Sequence, residues 1–421
     1  MEVKPGYVQT EVGVIPKEWE VKRLGDVAEM GSGGTPPSSV PAYYDGDIPW
    51  ASISDMTKGG KVILSTDRNL TRAGFTNSAA QMFPAGTILY AMYASLGECS
   101  IAGISLCSSQ AILGIRPKNK LSGEYLYYFL TSLKSVVKTL GQQGTQANLN
   151  KGMVQDFRLS LPPLDEQTAI ATALSDVDGL LGGLDLLIAK KRDLKQAAMQ
   201  QLLTGQTRLP GFHGEWDQMT LGELFTFKNG LNKGKEFFGF GTPIVNYMDV
   251  YVNTGIHSSM LEGRVSLTKQ EIKNFDVRKG DVLFTRTSET PEEIGMASVI
   301  LDEPDETVFS GFVLRGRPKN DNLCDVFKAY CFRSPAVRNQ IISKASYTTR
   351  ALTNGRILSA VTISVPSVPE QTAIAEVLSD IDAELAGLEQ RREKTRALKQ
   401  AMMQELLTGR TRLVSAESAY A

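Results

Sequence analysis

The sequence predicts an α+β protein: two mixed α/β domains separated by two long helices that form an antiparallel coiled coil, the whole an internal pseudo-twofold repeat. Three observations predict it. Residues 162–209, PPLDEQTAIATALSDVDGLLGGLDLLIAKKRDLKQAAMQQLLTGQTRL, recur as residues 366–413, PSVPEQTAIAEVLSDIDAELAGLEQRREKTRALKQAMMQELLTGRTRL, at an offset of 204 with no gap and 29 of 48 positions identical. Inside each copy the apolar residues are spaced as on one stripe of a helix. Ahead of each copy lies a diverged segment of short apolar runs in the same order. A period this long is no solenoid, whose units run roughly 20–50 residues. The chain is two copies of one large module.

The repeated element reads as a helix. In the first copy Ile170, Leu174, Val177, Leu181, Leu184 and Ile188 step alternately by four and three, the pattern of a coiled-coil seam. The second repeats it with Ile374, Leu378, Ile381, Leu385 and Leu388. Prolines stand only at the entrance of each copy (Pro162 and Pro163; Pro366 and Pro369), where a helix accepts them. Gly205 and Gly409 follow a Leu-Leu-Thr, where a left-handed C-cap would sit. The span between, about 38 residues, would be roughly 57 Å long. Gly179, Gly182 and Gly183 weaken the first helix by up to roughly 1 kcal/mol each, and are expected to let a neighbouring backbone approach. A seam this narrow needs a partner. Either the copies pair with each other, antiparallel under a pseudo-twofold, or each packs onto its own domain; the pairing is the expectation.

The chain then divides as 1–160 first domain, 161–209 first helix, 210–365 second domain, 366–413 second helix and 414–421 tail. In the first domain a strand-like run lies at Trp19 to Leu24, GSGGTPP (Gly31 to Pro37) is a turn-rich loop, and IPWASI, KVIL, GTILYAMYA and QAILGIRP read as strands. EYLYYFLTSLKSVVKTL has helical spacing, and GQQGTQANLNKG (Gly141 to Gly152) is polar and rich in amides. The second domain repeats this order: EWDQMTLGEL answers KEWEVKRLGDV, VRKGDVLFTR answers FPAGTILYAM, and KASYTTRALTNG stands where GQQGTQANLNKG does. Near-identical helices share one job; diverged domains read different things.

Composition is that of an ordinary globular protein, with 42% hydrophobic and 22% charged residues. No signal peptide is visible and no apolar run approaches a membrane span. Cys99, Cys107, Cys324 and Cys331 show no CxxC spacing and only His213 and His257 could join them, so no zinc site is expected and a reducing cytoplasm is the natural compartment. The net charge is −1. Nucleic acid would therefore meet local patches, not a basic domain.

No catalytic constellation is found. Two histidines leave little for a Ser-His-Asp or dihistidine-metal site. Phe237-Phe238-Gly239-Phe240-Gly241 fits the F-x-G-x-G cofactor loop of methyltransferases, but it precedes a strand-like run, and no Asn/Asp-Pro-Pro-aromatic tetrapeptide accompanies it. GSGGTPP lacks the Lys-Ser/Thr of a P-loop. The amide loop is more informative. Gln142, Gln143, Thr145, Gln146, Asn148 and Asn150 could hydrogen-bond adenine edges or phosphates. Lys344, Tyr347, Thr348 and Arg350 take that place in the second domain, and Arg286, just after a strand, could fork onto a guanine. The same stretches would also serve as solvated loops. The basic runs Lys190–Arg192 and Arg391–Arg396 read most simply as solvated helix faces.

TEVGVIPKEW, GSGGTP, TQANLN and the twice-present PxxEQxxIxxxLSDxD running to LLTG together make the chain resemble the specificity subunit of type I restriction–modification systems. The resemblance implies two target-recognition domains, each reading one half of a bipartite, asymmetric double-stranded DNA site, held apart by the helix pair. It implies two methyltransferase subunits docked on the helices and restriction/translocase subunits joining them, with S-adenosylmethionine on the methyltransferases and no cofactor or catalysis on this chain. It places Gln146 to Asn150 near the DNA, while the sequence read is not implied. A specificity subunit of another multi-subunit restriction class, or a DNA methyltransferase, stands as the alternative.

Overall fold

The computed structural model describes residues 3–142, 148–347 and 349–413. The chain forms two compact units, one of Met1–Asp185 with Arg391–Ala421, the other of Leu186–Gln390. Each unit thus holds one mixed domain, the first part of the helix that follows it, and the last part of the other helix.

The two domains have one topology. In the first, a five-stranded sheet runs in the order Ala28–Ser32, Ile112–Pro117, Ile88–Ala91, Cys99–Ala102, Val62–Ile63, with only the last pair parallel. The second has Phe225–Asn229, Val313–Pro318, Val282–Thr285, Ala297–Ile300 and Gly255–Ile256 in the same order and directions. The central strands are buried along their whole length, as four-residue runs such as Ile88–Ala91 and Val282–Thr285 show. Apolar runs without polar alternation mark strands covered on both faces. A two-stranded ribbon closes each domain: Glu20–Arg23 pairs with Arg158–Leu161, and Asp217–Thr220 with Thr362–Val365. Glu124 to Leu140 is two helices rather than one, Gly123–Ser132 and Lys134–Gln142, broken at Leu133. The first domain adds a hairpin, Tyr7–Thr10 with Gly13–Pro16; the second adds a small sheet of Thr287–Ser288, Ala351–Leu352 and Ser346–Tyr347.

The long helices span Leu164–Leu202 and Val368–Leu406, 39 residues each. Both end in a turn that reaches a left-handed glycine, Gly205 at φ 71° and Gly409 at φ 69°. In the first unit Lys399 pairs with Asp178 at 2.6 Å and Arg412 with Glu166 at 2.5 Å. In the second, Lys195 pairs with Asp382 at 2.5 Å, and Arg208 with Glu370. Within each unit, residues further along one helix meet residues earlier in the other, so the segments are antiparallel. Ile170, Leu174, Leu184, Ile188, Ile374, Leu378 and Leu385 are buried, while Val177, Leu181, Ile381 and Leu388 are partly so. The apolar ends share cores: Ile170 and Leu174 pack with Leu406 and Leu407, and Ile374 and Leu378 with Leu202 and Leu203.

The glycines correct one expectation. A Cβ built on Gly179, Gly182 or Gly183 would meet nothing within 4 Å. Among the described residues, no backbone packs closely against them. The basic runs are not merely solvated either. Lys191 and Arg192 reach Glu384 and Glu389, and Arg392 reaches Asp185.

Candidate nucleic-acid interface

One position is built identically in the two domains and filled differently. It lies just past the central strand of each five-stranded sheet. In the first domain Met92 donates its N–H to the Ala111 carbonyl at 2.8 Å, and its carbonyl accepts from Leu149 at 2.9 Å. In the second, Arg286 donates to the Phe312 carbonyl at 2.9 Å and accepts from Thr353 at 3.0 Å. The next residue is an asparagine in both. Asn150 and Asn354 each cap a short helix, the side-chain oxygen accepting from Met153 and Ile357 at 3.0 Å. A neighbouring glycine seals the frame. A Cβ on Gly33 would lie 2.2 Å from the Ser109 carbonyl oxygen, and one on Gly230 2.0 Å from that of Ser310. A common backbone therefore carries Met92, Ala111 and Leu149 in one domain, with Met92 and Leu149 buried in the core, and Arg286, Phe312 and Thr353 in the other, with Arg286 half-buried and Phe312 exposed.

The second domain's version is polar and aromatic. The Arg286 guanidinium donates from Nη1 to the Gly311 carbonyl at 3.4 Å. Its Nε, with Ser310 Oγ and Thr353 Oγ1, is buried with no hydrogen-bond partner among the described residues. Unpaired buried donors are costly in isolation, and a cluster of them marks a place where a ligand or water completes the set. Phe312 (59% exposed), in the turn before the strand Val313–Pro318, and Tyr347 (60%), on the strand Ser346–Tyr347, stand in solvent. Arg350 lies 3.7 Å from Glu289, both well exposed. Lys344 is exposed at the end of helix Pro335–Lys344. The sheet 287–288, 351–352, 346–347 thus brings Arg286, Tyr347 and Arg350 to one region, and their spacing alone could not have shown it.

In the first domain, Asn148 and Asn150 are exposed, although Asn150 spends its oxygen on the helix cap. Gln142 ends its helix, and only its backbone is described. Gln143, Thr145, Gln146 and, in the second domain, Thr348 lie outside the described residues. Phe237–Gly241 follows a 3-10 turn, Lys235–Phe237, and opens the strand Phe238–Val245. These residues therefore run from a turn into a strand and not from a strand into a helix, the setting of a cofactor loop. No group of three or more metal-ligating side chains occurs among the described residues, and no helix among them is long and apolar enough to cross a membrane.

Each domain is fastened to the helices by a motif that spacing did not reveal. Glu166, fully buried, accepts two hydrogen bonds from Arg412 (2.5 and 2.8 Å) and one from Trp19 Nε1 at 2.9 Å. Glu370 is held likewise by Arg208 and by Trp216 Nε1 at 3.1 Å. The adjacent Gln167 and Gln371 each accept one backbone N–H, from Ser122 and Cys324, and donate to two backbone carbonyls.

Residues 16–184 and 213–396 match the model of the type I restriction modification DNA specificity domain. The chain belongs to this family. Two matches, one per module, agree with the repeat. Among relatives of this specificity family, the chain is 26% identical to the specificity subunit of the type I restriction enzyme MjaIX of Methanocaldococcus jannaschii, over 68% of this chain and 70% of that one. It is 22% identical to the MjaVIII specificity subunit of the same organism, over 95% and 94%. The fold is that of the type I restriction–modification S subunit from M. genitalium, with a TM-score of 0.54, 15% identity, and coverage of 96% of this chain and 98% of that one.

Proposed function

We propose that this specificity subunit is a non-catalytic DNA reader in which each domain recognises one half of a bipartite, asymmetric double-stranded site. The helix pair sets the gap between the halves and docks two methyltransferase subunits, which hold S-adenosylmethionine; restriction/translocase subunits complete the assembly. One observation supports it most. The same backbone position carries Met92 in one domain and Arg286 in the other, while the Glu-Arg-Trp fastenings are kept in both. Two frames of one design with different tips suit two different half-sequences. A fork-shaped guanidinium at such a tip pairs with guanine O6 and N7, whereas Met92 at the same position is buried in the first domain's core and leaves base reading there to other residues.

The deciding experiment replaces residues 1–160 with the matching domain of a relative and reads the methylated motif of host DNA. One half-site changes and the other stays. If both halves changed, or neither, the one-domain-one-half reading would be wrong. Methyl transfer by the isolated chain would overturn its non-catalytic role. Arg286→Ala should cost about 1–3 kcal/mol in discrimination at one base. A uniform loss over all sequences would make it a phosphate contact instead.

A further inference from the structure

Beside Arg286 the second domain has a cavity of about 400 Å³, lined by Tyr247, Ser288, Glu289, Glu293, Phe312 and Arg350 among others. Its notable member is a carboxylate. Glu293 closes the 3-10 turn Pro291–Glu293, and the fold holds it on every side. Tyr251 Oη donates to its Oε1 at 3.2 Å and Ser288 Oγ to its Oε2 at 2.9 Å. Thr285 Oγ1 donates to its carbonyl at 3.0 Å. Beneath it the buried Arg338 donates to the flanking carbonyls of Glu292 (2.7 Å) and Ile294 (2.5 Å). A half-buried acid so fixed keeps lone pairs free, since two ionised oxygens offer about four acceptor sites and two are used here.

The equivalent loop of the first domain, residues 92–96, holds no carboxylate. Gly97 and Gly295 each donate to the carbonyl of the strand end, Ala91 and Thr285. Five residues separate the first pair and nine the second, and two before the glycine stand Ser95 and Glu293 respectively. The carboxylate belongs to an enlarged loop peculiar to the second reader.

An acid on a DNA-facing surface repels phosphates, so it serves only where it accepts from a base edge. In the major groove, cytosine presents a donor, its 4-amino group, without a neighbouring acceptor. Adenine's amine sits beside N7, and guanine offers acceptors only. The paired guanine in turn wants a guanidinium, and Arg350 lines the same cavity. We propose that this cavity reads one C·G base pair of the second half-site, Glu293 accepting from the cytosine amine and Arg350 donating to the guanine; the proposal rests on the DNA-reading function above.

The test uses the full chain with its methyltransferase partner, expressed in a host free of other methylation, with the methylated motif read by sequencing and the thermal midpoint measured alongside. Glu293→Gln should convert one cytosine of the second half-site to adenine, which a carboxamide prefers, or relax that position by roughly 5- to 150-fold. Arg350→Ala should relax the same pair, and the first half-site should not move. Glu293→Gln with a lowered midpoint but an unaltered motif, or the two variants acting at different pairs, would overturn the proposal. Should Glu293→Gln not fold, the exposed Arg350 decides alone: an unchanged motif in Arg350→Ala sinks it. A wild-type chain that imposes no split motif would instead bring down the DNA-reading function, and this inference with it.

Discussion

At the scale of single residues, the buried Glu166 and Glu370 are the sites where one substitution should cost most. Each carboxylate has left water altogether and is compensated by a two-pronged guanidinium and an indole N–H. Arg412→Ala would strand Glu166 in the core, and removing one partner of a buried pair costs about 3–5 kcal/mol. Denaturant unfolding should show that loss in the unit holding residues 1–185, and Arg208→Ala should produce it in the other unit; a change below about 1 kcal/mol would mean that water reaches the carboxylate. Asp276 gives a pH-dependent counterpart. Burial pushes its carboxyl up, but hydrogen bonds from Arg278 and Arg317, with the charges of Arg317 and Arg315, outweigh this and hold it below its ordinary value. The folded form thus binds its proton less tightly than the unfolded chain. The associated stability is present above the unfolded carboxyl's pKa of about 3.9 and is lost as pH falls through the lower folded value. Asp276→Asn should lower the unfolding midpoint at neutral pH, and its deficit against the wild type should shrink below about pH 4. A deficit independent of pH would show that the carboxylate's charge is not what holds the arginines.

At the scale of elements, the long helices were the most legible part of the chain, and the domain tips the least. Helices of 39 residues announce themselves through the four-three spacing from Ile170 to Ile188, the leading prolines and the closing glycines. The strands were legible as apolar runs, but their order was not, because Val62–Ile63 joins Cys99–Ala102 across a long stretch of chain. The break at Leu133 is hidden in the sequence, since the apolar spacing continues through it. The fastening of Glu166 by Arg412 was invisible for a simpler reason: the partners stand 246 residues apart. At the tips, Arg286 could be suggested by its place after a strand, whereas Glu293 could not, because its interest lies in three partners drawn from different elements. The helix glycines provide a test of their own. With open space at Gly179, Gly182 and Gly183, alanine at each should stabilise the helix by up to about 1 kcal/mol, a rise visible in the thermal midpoint. If alanine left stability improved but weakened the docking of a methyltransferase subunit, the glycines would be serving a partner's approach. A loss of stability would mean that the helix needs them itself.

At the scale of the whole molecule, the continuity of the long helices ties each recognition domain to parts of both. Every unit takes the start of its own helix and the end of the other. If this pair sets the gap between half-sites, lengthening both helices equally should widen the gap and nothing else. Four residues inserted after Ala189 and four after Glu393 would extend each helix by about 6 Å, close to two base pairs at roughly 3.4 Å per pair. Matching insertions keep the copies equal in length, although four residues introduce a local stutter in the heptad. The Glu-Arg-Trp fastenings and the positions around Met92 and Arg286 lie outside the inserted segments, so both half-sequences should be retained. The methylated motif should then show the same two halves with the unspecified gap longer by one or two base pairs. An unchanged gap would show that something other than these helices fixes the distance. A changed half-sequence with the gap intact would move base reading onto the helices themselves, and the division of labour between divergent tips and a repeated spacer would fall.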